Sequence, residues 1–226
     1  MKLKELFYRV LENKIFSLPK SFIKRITLGY LNRKNKEIVQ FDSDFFNIFK
    51  QVQKETELLM SAHQAFVLFS LAKSSTKVAG DMLEIGVYKG GSAKLICAVK
   101  GAKSLYLFDT FEGLKDAKEV DKESDNTFVN GDFNSDYSAV KELFSKEVNV
   151  SVYKGYFPKD AENMTDKRFC FVNLDVDTHE STVNSLNFIY SKMNRGGFIL
   201  SHDYPTAKGV KTAIDEFFKD KPESII

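Results

Sequence analysis

The chain has no tryptophan and only two cysteines among its 226 residues. Cys97 and Cys170 stand alone in apolar surroundings, with no CxxC spacing and no neighbouring histidine. A disulfide scaffold and a structural zinc site are therefore excluded, and a reducing compartment is expected. There is no apolar run of 18 residues, so no transmembrane helix is expected. The start, Met-Lys-Leu-Lys-Glu, has no apolar signal core, which argues against secretion and for a cytoplasmic protein. Internal repeats and low-complexity tracts are missing as well.

What is present is an ordinary apolar fraction, 21 phenylalanines to fill a core, and enough length for one α/β domain with an appendage. The net charge of +2 conceals an asymmetry: residues 1–37 carry ten Lys/Arg against three Glu, leaving −5 for the remainder. We divide the chain into a basic helical extension, 1–55, and a main domain, 56–226. In the extension, Leu3, Leu6, Phe7, Val10 and Leu11 recur at helical spacing, and Phe22, Ile23, Ile26 and Leu31 suggest a second helix. Such a segment suits a dimerisation or capping role, or peripheral contact with an anionic membrane surface. No nucleic-acid recognition motif accompanies the charge. The stretch 41–49 reads as irregular or a short helix, and Thr56 as the cap of a helix reaching Lys73.

After Gly80 the pattern alternates. Strands are expected at 81–86, 104–108, 149–153, 169–174 and 197–201, with helices near 91–99, 136–145, 180–193 and 207–219. This is the signature of an α/β fold, a mostly parallel sheet with helices on both faces. Gly196-Gly197 are expected to stop the helix begun at 180. Residues 109–135 form a long mixed-charge loop, the profile of a lid. Pro222 to Ile226 looks like the beginning of a further strand, and a sheet lacking it would present an open edge, which suggests self-association.

The chemistry gathers where strands meet turns. Glu84-Ile-Gly86-Val87-Tyr88-Lys-Gly90-Gly91-Ser92 places a glycine turn between a buried strand and a helix N-terminus. The glycine spacing is not the Gly-x-Gly-x-x-Gly of dinucleotide binders, and Glu84 repels a pyrophosphate. A cofactor with an ammonium and no phosphate fits better. Asp109-Thr110 closes the second strand, where a carboxylate can accept two ribose hydroxyls. Asp177 reads as a helix cap at least as readily as a reacting group, His179 faces either the acceptor or solvent, Glu180 complements the helix dipole, and His63 is structural.

Six motifs then recur in order: Glu84–Ser92, Phe108–Leu114, Lys154–Pro158, Leu174–Thr182, Arg195–Gly197 and His202–Tyr204. Over residues 56–220 the chain resembles the macrocin O-methyltransferase family, sugar O-methyltransferases of the class I S-adenosylmethionine-dependent (Rossmann-like) fold. The resemblance implies that Glu84, Gly86, Val87, Tyr88 and the Gly90–Gly91–Ser92 turn surround the methionine part of S-adenosylmethionine. It implies that Asp109 and Thr110 hold the ribose and that Tyr156 and Phe157 lie near the adenine, where core packing is an equally good reading. It implies a divalent metal, magnesium or manganese, at Asp175, His202 and Asp203. The family pattern has a carboxylate where this chain has His202, a softer ligand. His202 can ligate the metal or deprotonate the acceptor hydroxyl itself, and Asp175 can serve as ligand, base or both. The expected reaction is methyl transfer to a sugar hydroxyl of a glycan, glycolipid or natural product. The alternatives are a metal-independent class I methyltransferase with His202 as base, and a catalytically silent partner in glycan assembly.

Overall fold

A computed structural model describes residues 43–114, 121 and 131–225; the readings for residues 1–42 lie outside them. In chain order the elements are α1 (Ser43–Glu55), α2 (Ala62–Ser75), β1 (Asp81–Ile85), α3 (Gly91–Val99), β2 (Leu105–Asp109), α4 (Tyr137–Leu143), β3 (Val150–Lys154), β4 (Phe169–Leu174), α5 (His179–Ile189), β5 (Met193–Ser201) and α6 (Lys208–Phe218). The five strands are parallel, in the order β3-β2-β1-β4-β5. The strand-helix alternation thus produces the Rossmann-like α/β sheet expected of it.

Period-two alternation along the strands sends side chains to two cores. Met82, Leu105, Leu107 and Phe171 pack with α1, α2 and α3 on one face. Leu83, Ile85, Phe108, Val172 and Leu174 pack with Leu186 and Ile189 of α5 and with Val210 and Ile214 of α6 on the other. Glu84 and Asn173 are register partners on neighbouring central strands, and both are fully buried.

Several local expectations are corrected. Residues 43–55 are a regular helix whose Phe45, Phe49 and Val52 share one buried face, and it packs into the same core as α2 and α3. The next helix starts at Ala62, not at Glu57. Ser61 and Gln64 form a reciprocal capping box, which satisfies two N-terminal amides and outcompetes Thr56. Thr56 instead donates its hydroxyl to the Lys89 carbonyl, 2.6 Å away, and so ties residues 56–60 to the glycine turn. Thr178, not Asp177, caps α5 by accepting from Ser181 N. α5 ends at Ile189, before the paired glycines; Gly196 and Gly197 lie inside β5, where Gly197 runs close against the Cys170 carbonyl. No further strand appears among the described residues, and β5 pairs only with β4.

Candidate active site

Every strand ends at the same edge of the sheet, and backbone bonds carry the order one residue further. Gly86 N donates to Phe108 O, Asp175 N to Ile85 O and Gly155 N to Asp109 O, each at 2.9 Å. The connections that follow the strands therefore open into one cleft of about 1110 Å³, its open mouth included. Gly86, Val87, Tyr88, Gly91, Ser92, Asp109, Thr110, Tyr156, Phe157 and Asp175 all line it, as do Glu57, Met60, Phe133, Asp177 and Ser181.

Gly86 shows why the turn has its sequence. Its φ is +88°, and a Cβ there would overlap the carbonyl oxygen of Asp175 and stand 2.7 Å from the carbonyl carbon. Only glycine lets β1 and β4 deliver their ends side by side. Asp109 locks the turn from the other side. Its Oδ2 accepts from Val87 N and Tyr88 N, both at 2.7 Å, and its Oδ1 accepts from Phe111 N at 2.7 Å. Three of its roughly four lone-pair directions are committed to backbone. The residue read as a ribose acceptor is thus also the clamp that shapes the glycine turn.

Glu84 and Gly90 do not line the cleft. Glu84 lies beneath it, wholly buried, with Oε1 accepting from Asn173 Nδ2 at 2.7 Å and Oε2 without a hydrogen-bond partner. Burial pushes its carboxyl up to about 8, reinforced by the charges of Asp175 and Asp109 and opposed by Ser92 and Asn173. Tyr156 is half-open, its hydroxyl 3.3 Å from Ser181 Oγ. Phe157 is buried against Phe108 and Phe188, so the core reading holds for it although its edge reaches the cleft.

At the β4–β5 end, Asp175, His202 and Asp203 each offer an atom within 4.8 Å of the others. His202 Nδ1 is 3.1 Å from Asp203 Oδ1 and 3.4 Å from Asp175 Oδ1. Burial pushes the imidazole down, but the charge and hydrogen bond of Asp175, with those of Asp203, outweigh it and raise the imidazole to about 10. In the absence of an ion the two carboxylates thus favour the protonated ring, and His202 does not line the cleft. Its buried Nε2 has no hydrogen-bond partner. The donor set fits a divalent ion: two carboxylates and one imidazole suit manganese at least as well as magnesium.

Glu57 escapes the sequence reading, and Asp177 reads there as a helix cap at least as readily as a reacting group. Glu57 lines the cleft and is held by Lys89 Nζ at 2.7 Å and Tyr88 Oη at 3.2 Å. Its signal is lost because residues 57–60 read as helix. Asp177 lines the cleft in a left-handed conformation, φ +59°. A non-glycine residue held there is uncommon and marks a position whose surroundings determine it.

Comparison with known proteins assigns the class first. The fold matches solved class I O-methyltransferases. The O-methyltransferase NovP superposes with a TM-score of 0.66 at 21% identity, covering 75% of this chain and 77% of that one. A calicheamicin methyltransferase, CalS11, gives 0.63 at 16% identity, with 94% and 90% covered. The family model for macrocin-O-methyltransferase (TylF) matches residues 70–223, and the chain belongs to that family. Among curated relatives, an 8-demethyl-8-(2,3-dimethoxy-alpha-L-rhamnosyl)-tetracenomycin-C 4'-O-methyltransferase of Streptomyces olivaceus is 29% identical over 140 residues, 56% of this chain and 54% of the relative. The demethyldecarbamoylnovobiocin O-methyltransferase of Streptomyces niveus is 25% identical over 153 residues, 62% of this chain and 58% of that protein. The chain thus spans somewhat over half the length of the curated relatives it matches.

Proposed function

We propose that this chain carries the cofactor and metal sites of an S-adenosylmethionine-dependent O-methyltransferase that methylates a sugar hydroxyl of a natural product, glycan or glycolipid. The single observation that carries this reading is the convergence, on one cleft, of the Gly86–Ser92 turn, the Asp109 clamp and Asp175, with His202 and Asp203 clustered behind Asp175. The names of the relatives support a sugar acceptor on a small molecule.

In this reading the turn and the helix α3 N-terminus receive the amino-acid end of the cofactor, Asp109 and Thr110 its ribose, and Tyr156 stacks near its base. Asp175, His202 and Asp203 would hold a divalent ion, which would supply Lewis acidity to an acceptor hydroxyl. Asp177, beside Asp175 on the same wall, is placed to take the departing proton. The cleft walls hold the acceptor in line with the methyl group, which is where positioning contributes most. The metal-independent alternative has less support, because His202 does not line the cleft where an acceptor would sit.

Among the described residues no helix is long and apolar enough to cross a membrane. We infer action in the cytoplasm, peripheral contact of the basic N-terminal segment with an anionic membrane, and self-association through the β5 edge, which pairs only with β4 among the described residues. Calorimetry with S-adenosylhomocysteine tests the cofactor half. Methyl transfer to a deoxysugar glycoside, measured after EDTA and again after added magnesium or manganese, tests the rest. No cofactor binding refutes the proposal, and activity indifferent to EDTA refutes the metal.

A further inference from the structure

Asp121, from the stretch between β2 and α4, lies against the N-termini of α5 and α6. Asp121 is 2% exposed, a level of burial that a carboxylate reaches only when it is held. Its Oδ1 accepts from His179 N at 2.8 Å, the first amide of α5. Thr178 satisfies Ser181 N in the same turn, so the two acceptors divide that helix end between them.

The neighbouring helix makes room for the same carboxylate. Gly209 is the second residue of α6, and a Cβ there would overlap Asp121 Oδ1 and stand 3.2 Å from Cγ and 3.3 Å from the Cβ of His179. α6 also begins without a side-chain cap, since its N-cap position is Ala207. One carboxylate thus sits where two helix N-termini converge, and both dipoles favour an anion there.

The α5 end adjoins the cleft, and the α6 end follows the His202–Asp203 turn. α5 directly follows Asp177 and Thr178, which line the cleft. α6 follows the turn that Asp203 organises, its carbonyl accepting from Thr206 N at 3.0 Å and Ala207 N at 2.8 Å. The base of the segment is fastened to the opposite wall: Leu114 N donates to Asp132 O at 2.8 Å, Gly131 N to Leu114 O at 2.9 Å, and Ser135 Oγ to Tyr88 O at 2.8 Å. Gly113, Leu114 and Phe133 line the cleft beside this base.

We propose that Asp121 is a positioning residue, a catch that ties the N-termini of α5 and α6 to each other and thereby holds the Asp177–Thr178 and His202–Asp203 turns, and with them the bound cofactor, in working register. Its functional half rests on the methyltransferase reading of the cleft.

Gly209→Ala provides the main test because the two explanations differ in sign. Alanine is the better helix former, so propensity alone slows or preserves amide exchange near α6. A displaced catch makes the His179 amide exchange at least tenfold faster, read by NMR on the full chain, and speeds release of S-adenosylhomocysteine at least threefold in stopped flow. Asp121→Ala does the same. Asp121→Asn keeps an oxygen for the His179 amide but loses the charge, so it falls between Asp121→Ala and the unaltered chain, and it decides the matter should Gly209→Ala fail to fold. Unchanged His179 exchange in the Gly209 and Asp121 variants overturns the catch. Faster exchange with unchanged cofactor release overturns its role in the cleft. An unaltered chain that does not bind S-adenosylhomocysteine refutes the methyltransferase reading instead, and the exchange measurement still stands apart from it.

Discussion

Replacing Glu84 by glutamine should make the protein less sensitive to alkali. The carboxyl is completely buried, burial holds it at about 8 instead of the ordinary 4.5, and its Oε2 has no partner. The folded value is raised, so the contribution of Glu84 to stability is whole below 4.5 and is lost as pH climbs through about 8. At ~1.4 kcal/mol per pH unit, the full interval amounts to on the order of 5 kcal/mol, with about 3 kcal/mol already lost at pH 7. Glutamine keeps the Oε1 that accepts from Asn173 and removes the ionisation. Its new amide group inherits the unpartnered position, which costs about 1–3 kcal/mol at every pH. The variant should therefore be the less stable protein at pH 5 and the more stable one at pH 8.5. Urea unfolding of both proteins at half-unit steps between pH 5 and 9 measures the difference, in which the other ionisable groups largely cancel. A difference that stays flat across that range refutes the buried neutral carboxyl.

Gly86→Ala combines a strained φ with backbone overlap at Asp175. It should cost about 3 kcal/mol or more and abolish S-adenosylhomocysteine binding in any folded fraction, checked by thermal melts and calorimetry. Asp109→Asn turns an NH2 toward amides that need acceptors, and affinity for the cofactor should fall at least tenfold, about 1.4 kcal/mol, with the loss read by calorimetry. His202→Asp removes the cation from between Asp175 and Asp203. The variant should melt lower than the unaltered chain in EDTA, recover with millimolar magnesium, and prefer magnesium over manganese more strongly than the parent; a melt in EDTA equal to that of the parent counts against the ion-paired trio.

The motifs were legible because each lies within a few consecutive residues. The glycine turn, Asp109, Asp175 and the His202–Asp203 pair stand out as sequence and end in one place in the fold. Helix boundaries were less legible. Thr56 and Asp177 are as good as caps by residue type as Ser61 and Thr178, and the choice between them depends on what each side chain meets across the cleft. Phe45, Phe49 and Val52 carry a helical stripe that becomes decisive only once α2 and α3 are there to cover it.

By itself, then, the order of residues determined the alternation of strands and helices and the family motifs at the strand ends, because both are local patterns of period and spacing. Only the folded chain decided the state of the site. It set Glu84 against Asn173 in the dark between two strands, spent Asp109 on three backbone amides, and closed two carboxylates around His202. Apart from Asp109 with Phe111 and His202 with Asp203, those are meetings of residues 21 to 89 positions apart, and the charges they produce depend on burial and neighbours that no local pattern encodes.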